Sequence, residues 1–240
     1  MKFGVKTYDS EEFLDFFVDK CDFFEVQAIR GKDYSFLKKY SKKIVLHCEH
    51  SGFGFNLADP SKREENIEAV NFAKDLADKI GVKTIVIHPG DLVNENCSRE
   101  NSLAFLKEFC DERFCIENMP GLSSFNNCPQ LCFSPKEIKR FMDETGLGFC
   151  FDINHAVEYA VENEFDYWEF LHQFEDLNPR HYHLGGQKIN EKITHLSFSE
   201  SDLNLNKVFE IIQDTAEITL EVRIDKENVF DDLKAVGRIQ

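Results

Sequence analysis

No stretch of this 240-residue chain approaches the ~18 consecutive apolar residues that a membrane-spanning helix needs. The opening Met1-Lys2-Phe3-Gly4-Val5-Lys6 has no apolar leader core, so a secretory signal is not expected. Paired CxxC spacing is also missing. The eight cysteines, at positions 21, 48, 97, 110, 115, 128, 132 and 150, offer one CxxxC in Cys128 and Cys132. Without a leader, such cysteines read as reduced thiols, and the expected setting is the cytoplasm. Basic residues are scarce, 28 against 44 acidic ones, for a formal charge of −16. That field disfavours nucleic acid and anionic membrane as general partners. No linker, low-complexity stretch or long charge run divides the chain, and no GxGxxG follows the first strand.

What is present is a repeat of short β-rich runs alternating with helical spacing. Strands are expected at Lys2–Lys6, Phe23–Ile29, Lys43–Cys48, Lys83–His88, Phe114–Asn118, Gly148–Ile153, His181–Leu184 and Ile218–Val222. Helices fit Glu11–Lys20 behind Ser10, Ser61–Ile80 ending at Gly81, Ser98–Asp111, Ser134–Thr145, Asp166–Glu175, Ser201–Thr215 and Lys226–Ala235. Eight strand-then-helix units in about 250 residues predict an α/β fold, a single (β/α)8 TIM barrel covering 1–240. An open doubly wound sheet is the competitor, but it normally uses fewer strands. Pro120–Phe133 reads as a loop over the active face.

A barrel carries its chemistry at the C-terminal ends of its strands. Here the third strand runs into His47-Cys48-Glu49-His50, the fourth into His88-Pro89-Gly90 and the fifth into Glu117-Asn118. The sixth ends in Asp152-Ile153-Asn154-His155, the seventh carries His183, and the eighth ends in Glu221. Six consecutive strands thus deliver acids or imidazoles to one rim. A single histidine there is commonly a satisfied structural side chain, and Glu117 alone could be ion-paired. Three carboxylates aimed at one centre repel each other unless a cation or protons compensate. Glu117, Asp152, His183 and Glu221 together therefore point to a divalent metal, with a donor set suited to Mn, Zn, Mg or Co. His172, in a helix, and His181, at a strand start, read as structural.

The stretches His50-Ser51-Gly52-Phe53-Gly54-Phe55-Asn56-Leu57, Val86-Ile87-His88-Pro89-Gly90, Cys115-Ile116-Glu117-Asn118-Met119-Pro120, Phe151-Asp152-Ile153-Asn154-His155-Ala156, His183-Leu184 and Leu220-Glu221 give the chain its likeness. It resembles the xylose isomerase-like TIM barrel superfamily, which holds endonuclease IV and many sugar isomerases and epimerases. The resemblance implies a four-ligand metal site of Glu117, Asp152, His183 and Glu221. Endonuclease IV adds two metal positions, for one to three ions in all. One would use His88 and a histidine after the third strand, with Glu117 bridging. Spacing favours His50 there, whereas strand alternation favours His47. The other would use His155 and an Asp-x-His pair, which here reads Ile193-Thr194-His195 and lacks its aspartate. Gly185-Gly186 after His183 also departs from the pattern.

Two chemistries suit this rim. An isomerase or epimerase acting on a sugar or sugar phosphate would use Glu117 and Glu221 as the catalytic acid and base beside a metal-chelated carbonyl. A phosphodiester hydrolase of the endonuclease IV kind would use clustered metals, and only then would nucleic acid be a partner. The charge, the absent aspartate and the slight basic cluster Arg30-Gly31-Lys32 weigh against it. A metal-binding barrel without activity is the third reading. Arg223 and Lys188 are candidate phosphate contacts, and the loops Asn118–Phe133 and Gly185–Thr194 are expected to set substrate choice.

Overall fold

The structure is a computed structural model that describes residues 1–123, 127–191 and 193–239. Eight parallel strands close into a barrel: β1 (Lys2–Thr7), β2 (Phe23–Ala28), β3 (Lys43–Cys48), β4 (Ile85–Ile87), β5 (Phe114–Glu117), β6 (Gly148–Asp152), β7 (His181–Leu184) and β10 (Glu217–Leu220). Each pairs in parallel with its neighbour, and β10 meets β1 to close the ring. All eight expected strands are present, with ends shifted by a residue or two. The closed ring excludes the open sheet.

The helices outside the ring start where their caps dictate. Ser10, Ser98, Ser134, Asp166 and Asp225 each accept a backbone N–H in the first turn. They open α1 (Glu11–Phe17), α3 (Arg99–Phe109), α4 (Pro135–Thr145), α6 (Tyr167–Glu175) and α8 (Lys226–Ala235). A short turn of 3-10 helix, Pro60–Lys62, leads into α2 (Arg63–Ile80), which Gly81 ends at φ 77°.

Three expectations need correction. The helix sought over Ser201–Thr215 is only α7 (Leu205–Ile211), because Asn204 caps it late. An unexpected helix, α5 (Ile153–Glu162), follows β6 directly. The segment Gly185–Thr194 is not simply a loop: β8 (Gly186–Lys188) pairs antiparallel with β9 (Ile193–Leu196) outside the barrel, with Lys192 outside the described residues. The Pro120–Phe133 segment is held by isolated bridges, Asp91 to Gln130 and Leu122 to Pro129. Residues 124–126 of that loop lie outside the described residues.

Side chains alternate along each strand. One set, including Phe24, Leu46, Ile116, Phe149 and Phe151, joins the core between ring and helices. The other set points into the barrel, where Phe23, Val45, Val86, Cys115 and Cys150 form a separate apolar cluster. Gly4 belongs to this packing: a Cβ there would stand 2.3 Å from the Phe23 ring. No helix among the described residues is long and apolar enough to cross a membrane.

Candidate metal centre

Two residues beyond each inward-facing position of the lower barrel, the same strand presents a polar one. Gly4 is followed by Lys6, Phe23 by Glu25, Val45 by His47 and Val86 by His88. Cys115 is followed by Glu117, Cys150 by Asp152, His181 by His183 and Thr219 by Glu221. A period of two keeps both members of each pair on the same face. All eight strands therefore feed an ionisable side chain to one end of the barrel.

Ligand-type atoms of Glu117, Asp152, His183 and Glu221 all lie within 4.8 Å of one another. His183 Nδ1 is 3.1 Å from Glu117 Oε1, 2.7 Å from Glu221 Oε2 and 4.0 Å from Asp152 Oδ2. A second group uses the other oxygen of Glu117: His47 Nε2 is 3.2 Å and His88 Nε2 3.0 Å from Oε2. Glu117 is thus shared by both groups.

Imidazole orientation is fixed from behind. His47 Nδ1 lies 2.7 Å from the Cys48 carbonyl, His155 Nδ1 2.8 Å from the Asn118 carbonyl and His195 Nδ1 3.0 Å from the Glu221 carbonyl. A carbonyl only accepts, so the Nδ1 of His155 and of His195 carries the proton and each Nε2 is left with its lone pair, while His47 Nδ1 also meets the Gln27 side-chain amide nitrogen at 3.2 Å. His50 is built differently. Its Nδ1 accepts from the Gly52 amide at 3.1 Å, capping a short turn. Its ring sits 5.8 Å from that of His88, and it is His47, not His50, that joins His88 and Glu117. His155 Nδ1 stands 3.6 Å from Asp152 Oδ2, and its ring is 6.0 Å from that of His195. Ile193, at the position of the missing acid, is 41% exposed.

Two asparagines hold the strand ends in register. Asn118 donates to the Asp152 carbonyl at 2.8 Å and accepts from the Asp152 amide at 2.7 Å. Asn154 does the same to Gly185, at 3.0 and 2.6 Å. Gly185 and Gly186 follow because a Cβ on either would strike a backbone carbonyl, that of Glu221 at 2.5 Å or that of Ser197 at 2.3 Å. Close backbone approach explains this departure from an acidic residue.

The charges strain against each other. Burial, with the nearby Glu117 and Glu221 charges, pushes the Asp152 carboxyl up to about 7. Its Oδ2 is buried and has no hydrogen-bond partner among the described residues. Burial would also raise Glu117, but the His183 and His88 charges outweigh it and hold it well below the usual range. Glu221 is held low, against its burial, by Lys6 and His183. Three convergent carboxylates, an imidazole and an orphaned buried oxygen fit a divalent cation.

Sequence reasoning missed Lys6 and Glu25. Lys6 Nζ reaches Glu221 at 2.9 Å and Glu25 at 3.3 Å. A lone acid inside Phe23-Phe24-Glu25-Val26 was the available signal. His172 is exposed on α6, whereas His181 is buried and hydrogen-bonded to Glu25 and Thr219. Above the ligands opens a cavity of about 510 Å³, lined among others by Lys6, Tyr8, His50, His88, His155 and Arg223. Met119, Pro120, Ser123 and Gln130 of the long loop also line it; Lys188 does not.

Residues 34–237 match the model of the xylose isomerase-like TIM barrel family. The chain belongs to this family. It is 27% identical over 184 residues to a probable endonuclease 4 of Metamycoplasma arthritidis, covering 66% of this chain and 64% of that protein. The match therefore spans less than two thirds of that relative. Among solved structures, a D-tagatose 3-epimerase-like protein superposes with a TM-score of 0.79 at 20% identity, over 98% of this chain and 96% of that one. Endonuclease IV from Thermus thermophilus gives 0.72 at 15% identity, over 99% and 100%. Members of the family thus include both epimerases and endonucleases, and these likenesses establish the shared barrel.

Proposed function

We propose that the protein is a divalent-metal-dependent isomerase or epimerase of a sugar or sugar phosphate. The observation that carries the reading is the complete Glu117, Asp152, His183 and Glu221 group, whose Glu221 lines a cavity sized for a small molecule. A bound Mn, Co, Zn or Mg ion would act there as a Lewis acid on a substrate carbonyl and its neighbouring hydroxyl. Glu117 and Glu221 come from strands on different sides of the mouth. One takes the proton from the carbon next to the carbonyl, and the other returns it. Lys6 keeps Glu221 ionised and ready to accept that proton. His88 and His155 face the same cavity and orient substrate hydroxyls, and Arg223 at its edge suits a phosphate.

The His47, His88 and Glu117 group supports a second reading, a metal-dependent phosphodiester hydrolase acting on abasic DNA. Against it stand the charge of −16, Ile193, and the pairing of the basic cluster noted in the sequence: Arg30 with Glu49 and Glu68, Lys32 with Asp9. A barrel that binds metal without turnover is the third.

The test is incubation with ketoses and ketose phosphates in heavy water, with Mn or Co added. Deuterium is expected at the carbon beside the carbonyl, and Glu117→Gln should slow its entry by about 10²–10⁴-fold. Cleavage of an abasic-site duplex with two or three tightly held zinc ions per chain, and no exchange, would transfer the assignment to the hydrolase.

A further inference from the structure

Below the four-ligand group lies a carboxylate that no part of the proposed chemistry uses. Glu25 is fully buried inside the barrel. Its Oε2 accepts from His183 Nε2 at 3.0 Å, His181 Nε2 at 3.0 Å and the Thr219 hydroxyl at 2.6 Å. Its Oε1 faces the Lys6 ammonium at 3.3 Å. Every other histidine of the site whose Nδ1 donates is steered by a backbone carbonyl. His183 is the reverse: its Nε2 is turned away to Glu25, and its Nδ1 faces Glu117, Asp152 and Glu221.

We propose that Glu25 is a positioning residue: its carboxylate accepts a hydrogen bond from the protonated Nε2 of His183, so that Nδ1 is presented to the metal centre, and it ties Lys6 to the same anchor. The inference rests on the metal-site reading above and names a residue of the layer behind it. Glu25, His181 and His183 also lie close enough to hold an ion of their own. The Lys6 ammonium beside Glu25 and the Thr219 hydroxyl donating into it argue for a hydrogen-bonded support instead, since a second cation would meet Lys6 at short range. A carboxylate behind a metal-bound imidazole fixes its tautomer and makes the ligand nitrogen more basic. Through Lys6 the same carboxylate sets where the ammonium meets Glu221, which links a ligand on β7 to one at the end of β10.

The experiment uses the full chain. Zinc affinity is measured by competition with a chromophoric chelator for the wild type, Glu25→Gln and His181→Gln. Nitrogen-15 shifts of the His183 ring are recorded on the zinc-loaded wild type. Expected are zinc binding about ten- to a hundredfold weaker in Glu25→Gln, affinity within about threefold of wild type in His181→Gln, and a His183 ring bound through Nδ1 with a protonated Nε2. The ring assignment needs no variant, so it decides even if Glu25→Gln fails to fold. Equal affinities for wild type and Glu25→Gln, an equal loss in both variants, or coordination through Nε2 overturns the positioning role while leaving the metal site standing. A wild type that binds no zinc, manganese or cobalt removes the metal reading and this one with it.

Discussion

The two halves of the barrel interior are built on the same strands, two residues apart, and do opposite work. The lower half is mostly apolar: Phe23, Val45, Val86, Cys115 and Cys150 pack together, Gly4 leaves space for the Phe23 ring, and the buried His181 and Thr219 complete the layer. The upper half is Lys6, Glu25, His47, His88, Glu117, Asp152, His183 and Glu221. One turn of the pleat converts close packing, which stabilises, into buried charge, which costs stability unless paired. The lower layer supplies the rigid floor on which the upper side chains are held within a few ångströms of each other. The difference teaches that stability and chemistry are separable here by position along a strand.

That separation can be broken by experiment. The largest effect is expected from Glu117→Gln, because Glu117 belongs to both ligand groups. Proton exchange should fall by about 10²–10⁴-fold, and metal content measured by atomic absorption should drop, with the thermal midpoint of the metal-free protein little lowered. Phe23→Ala is the converse. It should cost about 3–5 kcal/mol of stability, read by urea unfolding, while zinc affinity stays within about threefold. If Phe23→Ala abolishes metal binding at an unchanged fold, the two halves are not independent.

A smaller effect is expected from pH in the metal-free protein. Burial lowers the pKa values of His47, His155 and His181, and pushes His50 down to about 3. Below about 6.5 the unfolded chain takes up protons at these four positions that the folded chain refuses, so acid weakens the fold. Asp152, raised to about 7, acts in the opposite direction: the folded chain carries its proton from about 7 down to about 4, where the unfolded one does not. His183, raised against its burial by the carboxylates around it, acts in the same direction as Asp152. Four lowered histidines against these two predict a net loss, so the chelator-treated protein should melt lower at pH 5 than at pH 7. A midpoint that rises on acidification would contradict the burial of the histidines. The smallest effect belongs to Ile193→Asp. It restores an acid two residues before His195, and one additional weakly held zinc per chain is expected by equilibrium dialysis.

Much of this was readable in the sequence, for identifiable reasons. Short strands with polar ends announce a barrel rim: Glu117, Asp152 and Glu221 each close or follow a largely apolar run, and His183 stands one residue before the end of its strand. Lys6 and Glu25 escaped because inward polar residues were sought only on the third to eighth strands and not on the first two. Thr7 and Ala28 end those two, and the inward alternation carried back from the other six strands picks Lys6 and Glu25 out. Spacing and strand alternation together left His47 and His50 both open; the structure brings His47 beside His88 and Glu117, while the His50 Nδ1 accepts from the Gly52 amide. The helix α5 was hidden by the double use of Asp152, which reads as a strand end and also caps the helix through Oδ1 on the His155 amide at 2.8 Å.

That double use has its own reach. One oxygen of Asp152 opens a helix and the other looks into the centre, so the first turn of α5 is mechanically joined to whatever occupies the mouth of the barrel. Anything that tugs on this carboxylate is felt at once by the His155 amide, and with it by the imidazole of the same residue at the cavity wall. The centre and that helical turn thus share a single side chain.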